Sequence, residues 1–137
     1  MKMRKIWLFI SALGLVLSMM TCIAYAYGKQ ETGTVAGVNV IVSNSISSNK
    51  KEASATTWTS SPSADASVSV SFYWVDTQTR ASGVIHAGNG NYGSITVNAP
   101  SLEGTNRYYY MVVSDHVASY GGQTFSYSGL TATIFDP

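Results

Sequence analysis

An all-β fold, an antiparallel β-sandwich of Ig-like architecture behind a helical signal peptide, is predicted by three features of the sequence. The first is the stretch from Ser67 to Asp76, SVSVSFYWVD, in which residue character alternates until a charge closes the run. Val68, Val70, Phe72 and Trp74 share one face and Ser67, Ser69, Ser71, Tyr73 and Val75 the other, the period of two that marks a half-buried strand. Burying such large side chains stabilises a domain by roughly 1.5 to 3 kcal/mol each before conformational entropy is subtracted. The second is the recurrence of Gly, Asn, Ser and Pro clusters about every ten residues, which cuts the chain into short segments suited to a sandwich. The third is an absence, since beyond residue 26 the sequence carries no helical periodicity, no heptads and no repeat.

The chain begins with an address. Lys2, Arg4 and Lys5 precede an apolar run over residues 6–20, broken only by Ser11, Gly14 and Ser18, and Ala24-Tyr25-Ala26 then offers small side chains for cleavage after Ala26. Those are the three parts of a secretory signal peptide. Two alternatives stand beside it. An uncleaved segment 6–20 would anchor the chain in a membrane, although a spanning helix needs about 20 apolar residues. Acylation at Cys22 would make a lipoprotein, but Met19-Met20-Thr21 matches the lipobox poorly. The expected organisation is a signal peptide over 1–26, a flexible N-terminal segment over 27–33 and a single β-sandwich domain over 34–137, in a secreted, extracellular protein.

Cleavage would leave 111 of the 137 residues, enough for one domain that buries about two thirds of its unfolded surface. Cys22 is the only cysteine, so the processed chain would have no disulfide, thiolate metal site or cysteine nucleophile. Lys29, Lys50, Lys51, Arg80 and Arg107 stand against Glu31, Glu52, Asp65, Asp76, Glu103, Asp115 and Asp136, a net charge of −2 where the whole chain has +1. A sparse, mildly acidic surface lacks the basic footprint of a nucleic-acid binder and the polybasic patch of a membrane-surface protein. Contact with a membrane is therefore expected only through the signal segment, if it is uncleaved.

Taken in order, Tyr27 to Gly33 reads as a loosely held terminus. Order is expected to begin near Thr34 with a strand in which Ala36, Val38, Val40 and Val42 alternate with Gly37, Asn39, Ile41 and Ser43. Asn44 to Lys51 breaks it, Glu52 to Ser60 forms a weaker strand, and Ser60-Ser61-Pro62-Ser63 turns the chain into the central strand. Arg80 to Ala87 returns from it. Gly88-Asn89-Gly90-Asn91 is expected to close a tight hairpin onto Tyr92 to Asn98, because Asn-Gly tolerates the positive φ that such a turn requires. Ala99-Pro100 stops that strand, and Asn106 to Ser114 follows with large residues on both faces. Val117 to Tyr120 and Thr124 to Ser128 join through Gly121-Gly122, and Leu130 to Phe135 is the last strand. The Leu102-Glu103-Gly104-Thr105 turn ahead of an aromatic strand loosely resembles the corner before a late strand of fibronectin type III domains. With the cysteine pair of antibody domains absent, the resemblance implies architecture and not family or function.

Ser114-Asp115-His116 has the residue types of a hydrolase triad, but in an extended segment Ser114 and His116 share a face about 7 Å apart while Asp115 points away. No Gly-x-Ser-x-Gly elbow accompanies the serine. The segment reads instead as a strand end entering a turn, and no catalytic residue is assigned. His86 and His116 are too few for a zinc site, and Asp65 and Asp76, without an Asp-x-Asp run, are turn residues and not calcium ligands. No metal and no cofactor is expected.

The aromatics remain. Tyr73, Tyr108 and Tyr110 are expected on the outer face of one sheet, with Tyr109, Met111 and Val113 as the inner row beside Tyr108 and Tyr110. Trp58 joins them as a further aromatic off the clearest core face. Such an outward cluster suits a carbohydrate, a peptide or a cell-envelope protein as partner, whereas the same residue types also serve strands structurally. The expected function is a non-catalytic binding or interaction module at or outside the cell envelope. A bacteriocin-like or pore-forming antagonistic protein is the alternative, since alternating Ser and Val also suits strands that line a pore. An exported hydrolase using His86 or His116 is third.

Overall fold

The computed structural model describes residues 27–104 and 106–135, so the expected signal peptide and Cys22 lie outside the described residues. Eight strands make up the fold: β1 (Tyr27–Val35), β2 (Val38–Ile46), β3 (Ala53–Thr59), β4 (Asp65–Asp76), β5 (Ser82–Tyr92), β6 (Ser94–Asn98), β7 (Arg107–Tyr120) and β8 (Gln123–Thr133). They form two four-stranded sheets, ordered β1-β2-β3-β6 and β5-β4-β7-β8, with every pairing antiparallel. The sheets meet face to face, β1 over β8, β2 over β7 and β3 over β4, which is a sandwich-like all-β arrangement.

The alternation in β4 does what its period requires. Val68, Val70 and Phe72 are buried, and Trp74 packs partly buried against the same cluster, which also holds Ile46, Ala53, Ala55, Tyr109 and Val112. A second cluster, built from Val35, Val38, Val40, Val42, Ala64, Ala118 and Leu130, fills the other end.

Several expected boundaries move. Residues 27–33 are not a loose terminus but most of β1, paired along its whole length with β2 from Tyr27↔Ile46 to Val35↔Val38. Ala36 (φ 47°) and Gly37 (φ 79°) make the two-residue turn between them. Both central positions of this hairpin turn need positive φ, and Ala36 hid it because it is neither Asn nor Gly.

Gly88-Asn89-Gly90-Asn91 is no hairpin either. These residues lie within β5 and pair with Ser69, Val68, Ser67 and Ala66. The chain changes direction instead at Gly93 (φ 81°), where it leaves one sheet for the other. Gly93 donates its N–H to the Ala64 carbonyl at 2.8 Å and accepts from the Thr59 N–H at 2.9 Å. A turn at Asn89-Gly90 would have pulled Ile95 and Val97 away from the core cluster they cover from β6.

β7 and β8 are each one strand where the sequence predicts two. Asp115 is mid-strand and exposed, and a register shift opposite it places Gly129 (φ 73°) in a bulge of β8. Its carboxylate accepts the Gly129 N–H at 2.8 Å, which holds the bulge. A second shift, between the pairs Tyr73↔Met111 and Trp74↔Tyr109, leaves Tyr110 as the extra residue. The inner row of β7 is therefore Tyr109, Val112, Ser114, His116 and Ala118, not Tyr109, Met111 and Val113.

Candidate functional site

Tyr73, Tyr108 and Tyr110 are all partly exposed on the outer face of the β5-β4-β7-β8 sheet. Parity in β4 turns Tyr73 outward because Phe72 is buried. In β7, Tyr109 is fully buried, and the bulge keeps its neighbour Tyr110 outward although Met111 follows on the same side. The Tyr73 and Tyr110 rings lie 6.2 Å apart at 55°, and Tyr110 reaches Phe135 at 6.5 Å and 48°. Both are tilted ring pairs within the favourable range.

Tyr108 and Tyr110 form one wall of a groove of about 480 Å³, with Val75, Ile134 and Phe135 as the other apolar residues and Lys50 at the rim. Tyr73 does not line this groove; it buttresses Tyr110 from behind. The sequence reading missed Ile134 and Phe135, the latter 77 % exposed. Val75 was legible, since it shares the outward parity of Tyr73.

Two cations brace this end. Lys51 Nζ sits 4.3 Å from the Tyr108 ring centroid and donates to the Gly104 and Arg107 carbonyls at 2.6 and 2.5 Å. Arg107 lies over Trp74 at 5.2 Å and reaches Asp76 Oδ2 through Nε at 3.4 Å. Asp76 Oδ1 accepts the Gln78 and Thr79 N–H groups, both at 3.0 Å, so Asp76 is the turn residue expected of it. The Thr79 N–H foremost holds its carboxyl below the usual value, against a partial desolvation. Trp58 is partly buried on the other sheet, beside Ile41, and has no part in the groove.

Ser114 and His116 point inward, with 1 % and 0 % of their surface exposed. They belong to a polar belt that separates the two apolar clusters. Asn44 Nδ2 donates to the Leu130 carbonyl at 2.6 Å and to the Val112 carbonyl at 3.3 Å. Its Oδ1 is thereby left to accept from the Ser114 hydroxyl at 2.5 Å. Ser114 Oγ also lies 2.5 Å from His116 Nε2, and His116 Nδ1 lies 2.8 Å from the oxygen of Thr57, whose hydroxyl donates to the Ser67 carbonyl at 2.9 Å. Both ring nitrogens of His116 are thus tied to hydroxyls of the belt, away from solvent. Burial pulls the His116 pKa down to about 4, against a smaller opposite pull from Asp115. His86 stands on the outer face with its Nδ1 2.8 Å from the Ser71 hydroxyl.

Among the described residues no three His, Cys, Asp or Glu side chains gather as a metal would need. Asp65 lies at the start of β4, exposed, on the opposite end of the sheet from the groove. Comparison with known proteins finds no matching family model, no matching curated protein and no matching solved structure.

Proposed function

We propose that this chain is an exported β-sandwich of Ig-like architecture acting as a non-catalytic binding module, and that it binds through the groove beside Tyr108 and Tyr110. The observation that carries this reading is the groove itself, where Val75, Tyr108, Tyr110, Ile134 and Phe135 line one recess, while the other exposed large apolar side chains, Val84, Tyr92, Val117 and Tyr120, lie outside it. Apolar surface concentrated in one recess marks a contact site more often than scattered exposure does. Its few polar groups favour an apolar or aromatic side chain of an extended peptide over a sugar, whose many hydroxyls would need more partners. Lys50 at the rim would favour a carboxylate nearby.

Intrinsic fluorescence titration with a short peptide carrying Phe next to Asp, and in parallel with an N-acetylglucosamine tetramer, tests the reading. Saturable binding of the peptide that Tyr110→Ala abolishes is expected. Binding of the sugar alone would replace the ligand class, and a response to either probe that survives Tyr110→Ala and Tyr108→Ala would remove the groove as the site. Release of dye from liposomes by the wild-type chain would favour the pore-forming alternative instead.

A further inference from the structure

The two sheets have four edges, and three of them carry a device against strand addition. β8 is broken by the Gly129 bulge, β1 carries Lys29 and Glu31, and β6 has only five residues before Pro100 follows. The β1 and β8 edges also cover one another, because the Phe125 ring occupies the space where a side chain on Gly33 would stand. β5 is different. It runs eleven residues in unbroken register with β4, without a bulge, a proline, a lysine or a carboxylate.

The direction of its free backbone groups can be read from two observations. The Ala81 carbonyl, just ahead of the strand, accepts the Asp76 N–H of β4, so the odd-numbered positions aim at β4. The Gly90 and Tyr92 N–H groups, at even positions, are taken by the Oδ1 atoms of Asn89 and Asn91 at 2.9 Å each, as groups facing away from β4 would be. Those asparagines close the end of the edge. Ser82, Val84, His86 and Gly88 are left with N–H and C=O groups pointing outward along a window whose middle, Val84 and Ile85, is apolar. Val84 is 41 % exposed, and Ile85 is partly buried against the core cluster.

We propose that this window pairs antiparallel with the same window of a second copy of the chain, about a two-fold axis through Ile85. In that register Val84 pairs with His86 and Ser82 with Gly88 of the other copy, each exchanging both backbone bonds, while Ile85 meets Ile85 and extends the core across the axis. Neither strand carries a Lys, Arg, Asp or Glu to oppose the pairing, and the window is complementary to itself about Ile85, so a second copy of the chain is the occupant that fits. The pairing uses backbone groups of β5 and borders the groove at Ser82, which belongs to both.

Sedimentation of the full chain tests this, any association through residues 1–26 being common to all variants. Wild type should dimerise with concentration, and Val84→Pro and His86→Pro should raise the dissociation constant at least tenfold. A proline at these even positions removes an outward donor but no bond to β4. Val84→Lys, which brings two ammonium groups beside the axis, should do the same if the prolines disturb folding. In a Cys22→Ser background, Ile85→Cys should give disulfide-linked dimers on oxidation, as directly opposed residues at a non-hydrogen-bonded position can. Ala87→Cys, which faces Gly83, should not. A wild-type chain that stays monomeric at millimolar concentration, a dimer indifferent to Val84→Lys, or equal cross-linking by Ile85→Cys and Ala87→Cys would each overturn the proposal.

Discussion

The polar belt inside the sandwich and the aromatic groove outside it reverse the usual placement of polar and apolar groups, and they differ in what their side chains have left to offer. In the belt, Asn44, Thr57, Ser114 and His116 use their hydrogen-bonding groups on one another and on the backbone, and among the described residues no buried side-chain nitrogen or oxygen lacks a partner. In the groove, Tyr110 touches Tyr73 and Phe135 but keeps surface exposed to solvent. A satisfied interior is severe to disturb and has nothing free for a ligand. An outer groove tolerates change and keeps surface for a partner.

The sharpest way to break that contrast is Asn44→Ala. It strands the Ser114 hydroxyl and removes a donor from the Leu130 and Val112 carbonyls, all in the interior. A loss of about 3 to 5 kcal/mol in urea unfolding is expected. Asn44→Leu combined with Ser114→Ala should cost less than the two single changes added together, since it removes both ends of one bond. Additive losses would mean that the belt does not act as a unit.

Acid should weaken the belt by a comparable amount. The His116 pKa is about 4 in the folded chain and about 6.5 unfolded, so between those values the unfolded chain binds more protons. Stability is complete above pH 6.5, falls as pH drops, and has lost roughly 3 kcal/mol from this group near pH 4. Asp76, with its pKa lowered, loses stability in the same direction at lower pH. Thr57 shows how the proton would be housed, because its hydroxyl donates to the Ser67 carbonyl at 2.9 Å and its oxygen can accept from a protonated Nδ1. Unfolding followed from pH 8 to pH 4 should slope in wild type and flatten in His116→Gln, which cannot titrate. An equal slope in both would place the acid sensitivity elsewhere.

A smaller effect is expected from Tyr109→Phe. The Tyr109 hydroxyl donates to the Pro100 carbonyl at 2.5 Å, while its ring, fully buried against Phe72, would remain. Thermal unfolding should register about 1 kcal/mol. A null result would show that the backbone bonds from Ala99 N–H to Ala53 and from Leu102 N–H to Lys51 hold this segment without the hydroxyl.

The parts of this fold legible in the sequence are those governed by parity. The alternation in β4 was enough to bury Phe72 and turn Tyr73 outward, and Gly121-Gly122 was enough to join the last strands. What was hidden depends on contacts between distant segments. Asn89-Gly90 has the local chemistry of a turn, yet β4 holds it as strand because the core needs Ile95 and Val97 on the other sheet. The bulges at Tyr110 and opposite Asp115 shift parity by one residue and leave no mark in composition. His116 looked like a terminus at a turn because three polar residues in a row normally leave a core, and its burial is made tolerable by Thr57 on the other sheet and by Ser114, itself bonded to Asn44 there. Phe135 gave no signal, since its place in the groove depends on β8 continuing along β7 to Ile134, whose N–H bonds the Tyr110 carbonyl at 3.1 Å.

A change that costs little stability should be the most damaging to binding. Tyr110→Ala removes a partly exposed ring whose neighbours, Tyr73 and Phe135, also reach solvent, so it opens a wider recess and not a closed cavity. Without a sealed void the cavity penalty of core truncations does not apply, and the lost ring contacts amount to about 1 kcal/mol. The same ring is one wall of the groove, and removing an aromatic wall from a contact site commonly weakens binding by 2 kcal/mol or more, roughly thirtyfold. Tyr73→Ala sharpens the comparison, because Tyr73 supports Tyr110 without lining the groove. It should match Tyr110→Ala in stability and fall well short of it in the fluorescence titration. Equal loss of binding from both would mean that the ligand lies over Tyr73 as well, and a loss of several kcal/mol in stability from either would make the tyrosines part of the scaffold.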